Sequence, residues 1–402
     1  MAEGVSGHTE EFLKELAGTL AAHRKWLSDK AGGRQAELSF SDLSGLSLAG
    51  AALSRARLTG ACLSHADLSK ADLSASFLLM ADLQQADLRC ANLLGAELRG
   101  ACLNGANLAD ANLAGADLRT GGMPVMSEER PGPRSVGPGS VGRRTELVDA
   151  NLSRALMMGS KLENCDLTGA ELVDADLTGA DLTGAILVAT DLSGVTLTNA
   201  TLKGAVLSGA LLDDKAAAQI IGLGIDLAAR LDGVRSRLPE LLELHRLWLD
   251  SGGGEGKRLE LDLVDLSGAD FSGCDLSGAR IQRSILDGAN LRKAVLVMAD
   301  LAYCSLAGAD FESADLSGCG LRRANLNDAN LKDAVLLDVP ISGSDRRWPT
   351  NLQYARMVRA DLRCRAAEGV ILCYTDMTDA KINMVMLKGS DMRGAKYART
   401  EE

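Results

Sequence analysis

The sequence predicts an all-β solenoid, because a leucine recurs at almost every fifth residue over long stretches and an alanine stands two residues before it. The pattern is clearest from Ala71 to Leu118. A period of five fits neither the helical period of 3.6 nor the strand period of 2.0, so the chain has to change direction once per unit. The alanine and the leucine lie on the same side of a short extended segment, and the other residues turn a corner. The chain therefore coils, and each unit buries its apolar pair against the neighbouring coils.

These A(D/N)Lxx units, such as Ala86–Cys90 and Ala91–Gly95, resemble the pentapeptide repeat family. The resemblance covers most of the chain, which makes it specific for the fold. It implies a right-handed quadrilateral β-helix with four pentapeptides per coil and the leucine as the central residue of each. It is much less specific for function, because the family places unrelated roles on one scaffold.

Composition limits the classes of partner. Of the 402 residues 46% are hydrophobic but only 3% are aromatic, which indicates a core of leucine and alanine as narrow coils require. The formal net charge is −11 and the pI about 5.0, so neither direct nucleic-acid binding nor membrane binding is expected. No apolar run approaches the roughly 18 residues that span a bilayer, and the N-terminus lacks the pattern of a secretory signal. We therefore expect a cytoplasmic protein.

Residues 1–30 predict an N-terminal cap helix. Thr9 can cap its first turn, and Glu10 and Glu11 complement the positive end of the helix dipole. Apolar residues from Phe12 to Leu27 recur at helical spacing and form one stripe. Because the open end of a β-helix exposes unpaired backbone groups, we expect this helix to cover it.

The first pentapeptide block covers residues 31–118 and the second covers residues 147–212. Residues 119–146 between them form a loop rich in glycine, proline and arginine, with four prolines and five arginines. Such a composition cannot continue a β-ladder. Two interpretations are open: a tolerated surface insertion, or an arm that binds a partner.

Residues 213–256 predict a helical insert of two helices, Asp213–Leu231 and Pro239–Asp250, with the proline in the first turn of the second. The sequence HRLW at residues 245–248 repeats HRKW at residues 23–26, and each copy leads into pentapeptides. The chain is therefore predicted to be a tandem duplication of a helix and a β-helix.

The third pentapeptide block covers residues 257–341, with Ile341 as its last centre. Residues 342–351 form a loop. The fourth block, residues 352–402, is degraded, and methionine and tyrosine replace several central leucines, which fits a widened or frayed last coil.

No catalytic, cofactor or metal site is predicted. An acidic residue or asparagine precedes the leucine so often that paired carboxylates carry no special meaning. His23 and His245 occupy matching places before a tryptophan, which favours a shared packing role over metal binding. The nine cysteines lack CxxC pairs, and several of them occupy the inward position normally held by alanine. The segment SGGGEGKR at 251–258 lacks the residues and the preceding strand of a phosphate loop.

One feature exceeds the repeat pattern: bulky apolar residues at positions that face outward. Such clusters on a soluble solenoid mark contact surfaces, unless a helix or loop of the same chain covers them. The candidate contact residues are Phe77, Leu79, Met80, Leu156, Met158, Val295, Val297, Met298, Val335 and Leu337.

The sequence therefore predicts a non-enzymatic scaffold for protein–protein interaction, with an unknown protein partner and a possible homo-oligomeric state. The family resemblance implies an alternative. Some members look like an acidic rod of the width of B-DNA, occupy the DNA-binding surface of DNA gyrase, and inhibit or protect that enzyme.

Overall fold

The computed structural model describes residues 8–122, 142–224, 234–341, 343, 346–383, 387 and 389–397. The chain divides into two compact units, Met1–Leu227 and Ala228–Glu402, and each contains a repeat β-solenoid. Three α-helices are present in the described residues: α1 (Glu10–Leu27), α2 (Asp214–Gly222) and α3 (Leu238–Asp250), with a 3₁₀ turn at Arg235–Arg237. None of these helices has the length and apolar character needed to cross a bilayer.

Most of the described pentapeptides pair through single β-bridges, eight are extended into short strands, and two further strands form a hairpin. All pairs are parallel except β4–β5 and the bridge between Gly121 and Arg143. The strands are β1 (Glu260–Asp262), β2 (Arg280–Gln282), β3 (Val335–Leu336), β4 (Val339–Pro340), β5 (Arg347–Trp348), β6 (Asp361–Leu362), β7 (Ala366–Ala367), β8 (Asp376–Met377), β9 (Lys381–Ile382) and β10 (Lys396–Tyr397).

The backbone ladder repeats every twenty residues, so each coil contains four pentapeptides. Arg57, for example, pairs with Glu37 in one neighbouring coil and with Phe77 in the other. The N–H of Arg57 donates to Ala36 O at 2.9 Å, and the N–H of Leu58 donates to Phe77 O at 2.8 Å. This network satisfies the backbone polar groups of a segment whose side chains point into an apolar core.

The corner of each pentapeptide has a left-handed backbone, which glycine adopts without steric cost. Gly60 has φ 63° and Gly100 has φ 67°. Phe40 and Met80 occupy the same corner in alternate coils, and a Cβ added to Gly60 would lie 2.6 Å from the Phe40 ring. A bulky corner side chain therefore lies over the glycine of the next coil, which explains why large residues and glycine alternate at this corner.

The core consists of the central leucines and the alanines two residues before them. Each unit has its own cluster, and most members are fully buried. Phe271 and Phe311 replace leucine as fully buried centres in the second unit. The degraded last block continues the same solenoid, because Asn351 pairs with Gly320 and Ile371 with Asn351.

Helix α1 lies against the first coil. Thr9 caps it by accepting a hydrogen bond from the N–H of Phe12 at 3.2 Å, as predicted. Leu16 is buried in the core cluster of the first unit, and Arg34 N donates to Ala22 O at 3.1 Å. The helix thereby adds apolar surface and backbone hydrogen bonds at the beginning of the solenoid.

The predicted helical insert 213–256 does not act as one element, because its two helices pack on different units. Helix α2 ends at Gly222 rather than Leu231, and residues 225–233 lie outside the described part of the chain. Asp213 caps α2, and Gln219 accepts from Leu197 N at 2.8 Å and donates to Val195 O at 2.9 Å.

Helix α2 therefore belongs to the first unit, where Ala216 and Ile220 are part of the core. Helix α3 begins at Leu238 with its proline in the first turn, and Leu238 belongs to the core of the second unit. The boundary between the units lies between the two helices, at residues 227–228.

Ile341 is not a coil centre, so the third block ends at Leu336 rather than at residue 341. Pro340 stands where an N–H must donate to the previous coil, and proline has none. The chain instead forms an antiparallel hairpin of β4 and β5, which leaves Ile341 37% exposed. The ladder resumes when Asn351 N donates to Cys319 O at 2.9 Å.

Both interruptions rejoin the coil through a buried threonine. Thr145 Oγ1 accepts from Gly100 N at 2.8 Å and donates to Arg119 O at 3.0 Å. Thr350 Oγ1 accepts from Gly318 N at 3.1 Å and lies within hydrogen-bond distance of two carbonyl oxygens, Leu316 O at 2.9 Å and Leu337 O at 3.2 Å. Each insertion is therefore anchored without breaking the ladder on either side.

Substitution of the same residue type at inward and outward positions tests the register. Leu88 is fully buried and Leu94 is 49% exposed. We expect Leu88→Ala to lower the free energy of unfolding by about 2–5 kcal/mol through cavity formation. Leu94→Ala should change it by no more than about 0.5 kcal/mol. Denaturant titration followed by circular dichroism measures both, and equal losses would disprove the register.

Truncation tests the assignment of α2. A fragment of residues 1–227 keeps α2, whereas a fragment of residues 1–212 exposes the apolar end of the coil and leaves Leu197 N without Gln219. We expect the longer fragment to fold and the shorter one to melt at a lower temperature and to aggregate. Identical melting curves and solubility for the two fragments would show that α2 contributes nothing to the first unit.

Candidate interaction surface

The recurring carboxylates have a structural role in the repeat. Ser44, two residues after Asp42, donates to that carboxylate with its N–H at 3.0 Å and with its hydroxyl at 2.6 Å. These hydrogen bonds lower the pKa of Asp42. Asp191 and Ser193 repeat the arrangement at the same distances. The frequent sequence Asp-Leu-Ser/Thr is therefore explained by a hydrogen bond that closes the outward side of the pentapeptide.

The inward thiols are packing residues. Cys165 and Cys304 are buried at the alanine position, and each Sγ donates to a carbonyl of the neighbouring coil, at 2.9 and 3.0 Å. Burial raises the pKa of Cys304 to about 12, so the reactive thiolate is disfavoured. All nine cysteines are free. No group of three or more His, Cys, Asp or Glu in the described residues is arranged to hold a metal ion.

The two buried histidines have matching contacts. His23 stacks on Trp26 with ring centroids 5.4 Å apart, and His245 stacks on Trp248 at 5.6 Å. Each Nδ1 accepts a hydrogen bond from a backbone N–H. The donor to His23 is Ala36 at 3.0 Å, and the donor to His245 is Leu259 at 3.1 Å. His23 Nε2 lies 3.0 Å from a carbonyl oxygen and therefore carries the proton. These rings join each helix to its first coil.

In the first unit, exposed apolar side chains gather on one face. Leu156 and Met158 are 44% and 37% exposed. Leu94, Ala114 and Met158 occupy the same outward position in three successive coils. The backbone hydrogen bonds show this, because the N–H of the residue after Leu94 donates to Ala114 O and the N–H of the residue after Ala114 donates to Met158 O. We call Leu94, Ala114, Leu156 and Met158 the aliphatic patch.

The other candidates of the first unit lie on the next face. Phe77 is 36% exposed, whereas Leu79 and Met80 are half-buried. A Cβ added to Gly100 would lie 2.6 Å from Met80 Sδ and 3.1 Å from Gly121 Cα, so Met80 adjoins the stem of the first loop. The loop 119–146, for which a surface insertion and a partner-binding arm are both open, falls largely on residues 123–141, which lie outside the described part of the chain.

In the second unit the candidates share a face but are not continuous. Val295 and Val335 both pair with Asp315, which separates them by two coils as their spacing in the sequence predicts. Val295, Val297, Val335 and Leu337 are half-buried, and Met298 is 44% exposed.

The hairpin of β4 and β5 folds over this region. A Cβ added to Gly318 would lie 3.0 Å from Val339 Cγ2, 3.3 Å from Met298 Cγ and 3.4 Å from Trp348 Cδ1. Trp348 itself is 51% exposed. The apolar surface at this corner is therefore formed by Met298 together with Trp348.

The comparison with known proteins agrees with this geometry. The family model described as pentapeptide repeats matches in eight copies, over residues 36–74, 66–105, 101–120, 145–184, 175–214, 260–296 and 294–333, which together exceed half of the chain. The chain belongs to the pentapeptide repeat family. No curated protein sequence matches this pentapeptide repeat protein.

Several solved structures are similar to this pentapeptide repeat protein. HetL, a pentapeptide repeat protein involved in heterocyst differentiation regulation from the cyanobacterium Nostoc sp. strain PCC 7120, is 21% identical with a TM-score of 0.31, over 93% of this chain and 92% of its own. QnrB1, a plasmid-mediated fluoroquinolone resistance protein, is 18% identical with a TM-score of 0.25, over 49% of this chain and 95% of its own. A pentapeptide repeat protein from the Arabidopsis thaliana thylakoid lumen is 25% identical with a TM-score of 0.15, over 39% of this chain and 75% of its own.

Two exposed residues of this pentapeptide repeat surface escaped the sequence analysis. Leu94 is an isolated outward leucine in its own coil, and only the stacking of coils places it beside Met158. Trp348 lies in an insertion, where no repeat pattern assigns a direction to its side chain. A signal for it was present, since Trp26 and Trp248 belong to the repeated histidine motif and Trp348, the third tryptophan, does not.

The His23 contact predicts a pH dependence of stability. Burial lowers the pKa of His23 below its ordinary value of 6.5. The unfolded chain therefore takes up the proton first as the pH falls below about 6.5, so the free energy of unfolding decreases from there until the pH passes the lowered folded pKa. We expect the melting temperature to fall less steeply between about pH 7 and 5 for His23→Gln than for the wild type.

The matched control is His65→Gln, because His65 is exposed. In the same calorimetric series, its melting temperature should fall with pH as steeply as that of the wild type. If the melting temperature of His23→Gln fell with pH as steeply as that of the wild type, the His23 tautomer with its proton on Nε2 would not contribute to stability.

Proposed function

We propose that this protein is a non-enzymatic, cytoplasmic scaffold that works by protein–protein contact. In this proposal the two units are duplicated modules, each a right-handed quadrilateral β-helix, and their helices protect the open ends of the coils. The repeated carboxylates and the buried thiols support a non-enzymatic role, because their polar atoms are engaged in bonds within the repeat.

One observation carries the proposal: exposed apolar side chains on a surface that the backbone ladder holds rigid. They include Leu94 at 49%, Leu156 at 44%, Met298 at 44% and Trp348 at 51% exposure. Burial of such a side chain contributes about 1.5–3 kcal/mol relative to exposure. Because the ladder fixes their positions, a partner that covers them orders little additional structure.

The partner is another protein or a second copy of this chain. We expect replacement of Leu94, Leu156 and Met158 by Ser, Thr and Gln, the residues usual at outward positions, to leave the melting temperature within a few degrees. Association should weaken at least tenfold, measured by light scattering for self-association and by quantitative crosslinked capture from the native host for another protein.

Ile221→Ser is the matched control, because Ile221 is 61% exposed but lies on α2, away from the aliphatic patch. It should retain wild-type association. The proposal for the aliphatic patch fails if the triple variant and this control associate equally well.

A second candidate function, inhibition or protection of DNA gyrase by imitation of DNA, is favoured by one observation. Residues 1–227 contain 28 acidic and 19 basic residues, a net charge of −9, whereas residues 228–402 contain 26 and 24, a net charge of −2. DNA mimicry by this protein should therefore depend on the first unit.

A supercoiling assay separates the two candidates. Dose-dependent inhibition of gyrase, or its protection from a quinolone, by the full chain and by residues 1–227 would support mimicry. An unchanged supercoiling rate at protein concentrations well above that of gyrase would leave the scaffold as the proposal.

A further inference from the structure

One corner of the second solenoid carries a continuous stack of tyrosine and arginine. Backbone hydrogen bonds at this corner join successive coils, from Tyr303 N to Arg322 O at 2.9 Å and from Tyr354 N to Cys373 O at 3.0 Å. The corner contains three of the four tyrosines of the chain. We call the following residues the Tyr–Arg corner: Tyr303, Arg322, Arg323, Tyr354 and Tyr374.

The side chains of this corner hold one another in place. Arg322 donates to the Tyr303 hydroxyl at 2.6 Å, and its guanidinium lies 5.8 Å from the Tyr303 ring and 6.0 Å from the Tyr354 ring. Arg323 lies over the Tyr354 ring at 4.9 Å. Tyr354 stacks on Tyr374 at 5.0 Å with an interplanar angle of 7°. The aromatic rings are therefore preorganised on the surface, and Tyr374 is 56% exposed.

The first unit shows that the fold does not require these residues. In each unit the first pentapeptide contacts the buried histidine, and this contact aligns the two solenoids. In this alignment the equivalent corner of the first unit contains Phe40, Gly60, Met80 and Gly100. Glycine adopts the left-handed corner without cost, whereas Tyr303, Tyr354 and Tyr374 adopt φ of 61°, 59° and 58°. Bulky residues in successive coils of such a corner are a reason to look for a function.

The last coils of the second unit are basic although the whole chain is acidic. Residues 346–397 contain ten lysines and arginines and five aspartates and glutamates, against a net charge of −11 for the chain. Arg356 and Lys396 lie on the face that follows the corner, in line with Asp376. Asp391 forms an ion pair with Arg393 at 2.6 Å, so this carboxylate is already engaged. The surface complements a ligand with negative charge.

We propose that the Tyr–Arg corner binds an acidic segment of a partner protein. The inference rests on the proposed scaffold function and specifies the chemistry of one partner. Guanidinium groups bind carboxylates through two parallel hydrogen bonds, and tyrosine supplies apolar contact area with a hydroxyl at its edge. Tyrosine and arginine are also the residues that contribute most often to the centre of protein interfaces. Because the stack is preorganised, little side-chain entropy is lost when the segment binds.

The stacking itself argues against single-stranded nucleic acid as the occupant. Binding of that kind requires open aromatic faces on which bases stack. The Tyr354 ring lies between Arg323 and Tyr374. The Tyr374 ring lies over Gly394, since a Cβ added there would be 2.5 Å from the ring. The ring edges and hydroxyls, rather than the faces, are therefore presented to a ligand.

The test uses the full-length protein and fluorescence anisotropy at about 50 mM salt, where screening is modest. The probe is a fluorescein-labelled peptide with five Glu-Glu-Leu repeats. A peptide with five Lys-Lys-Leu repeats and an oligothymidylate of fifteen nucleotides are the comparison probes. We expect Arg322→Glu and Tyr374→Ser each to weaken binding of the acidic peptide at least tenfold, and Arg322→Glu to gain affinity for the basic peptide.

Arg359→Glu is the matched control, because Arg359 is also exposed at a corner of the second unit but pairs with Asp328 at 2.6 Å. It should bind the acidic peptide within about twofold of the wild type. Melting temperatures verify that each variant is folded. If Arg322→Glu does not fold, the binding of Tyr374→Ser tests the proposal. Tyr374 is more than half exposed, so its replacement should leave the fold intact.

Equal affinity of the wild type, Tyr374→Ser and Arg322→Glu for the acidic peptide would overturn the inference. Stronger binding of the oligothymidylate than of the acidic peptide, lost in Tyr374→Ser, would also overturn it and indicate a nucleic-acid surface. Failure here is distinguishable from failure of the scaffold function: the aliphatic patch lies in the first unit, and its partner would still be captured.

Discussion

The structure depends on one constraint, the backbone hydrogen bonds that join each coil to the next in a register of twenty residues. They require an N–H at fixed positions of every pentapeptide and a left-handed corner once per unit. Pro340 shows the consequence, because it removes a donor and the chain leaves the solenoid at that point. The small alanine and the central leucine follow from the same constraint, since coils this narrow leave room for little else.

The ladder also explains why the surface of this pentapeptide repeat protein is free to vary. The backbone and the inward side chains join every coil to the next, whereas outward side chains do so only at particular places, as Arg322 and Tyr303 do, so outward positions can change with little effect on the core. Two insertions interrupt the repeats, and at the points of return the hydroxyls of Thr145 and Thr350 add hydrogen bonds to the backbone ladder. Function on such a scaffold is therefore a property of outward columns and insertions.

The two units use this freedom differently. The first unit is acidic and presents the aliphatic patch around Leu94 and Met158. The second has little net charge and presents Met298 with Trp348 at one corner and the Tyr–Arg corner at another. The two units thus offer chemically distinct surfaces.

The sequence by itself determined the facing direction of most residues. The period of five identifies Leu88 as inward and Leu94 as outward, and it places Phe271 in the core, because the direction of a side chain in this fold depends only on its position within its own pentapeptide. The helix that begins after Thr9 could be predicted for a similar reason, since capping and the apolar stripe are local properties.

Only the tertiary structure decided which outward residues meet. In the second unit, coils pair at a spacing of twenty residues until the hairpin changes it to thirty-one, so Arg323 and Tyr354 become neighbours across an insertion whose length the repeat does not fix. The same holds for Trp348 beside Met298, and for α2, which packs on the first unit although the sequence groups it with α3 in one helical insert. Which residues of neighbouring coils meet depends on the number of residues inserted between the coils. The five-residue pattern does not determine that number.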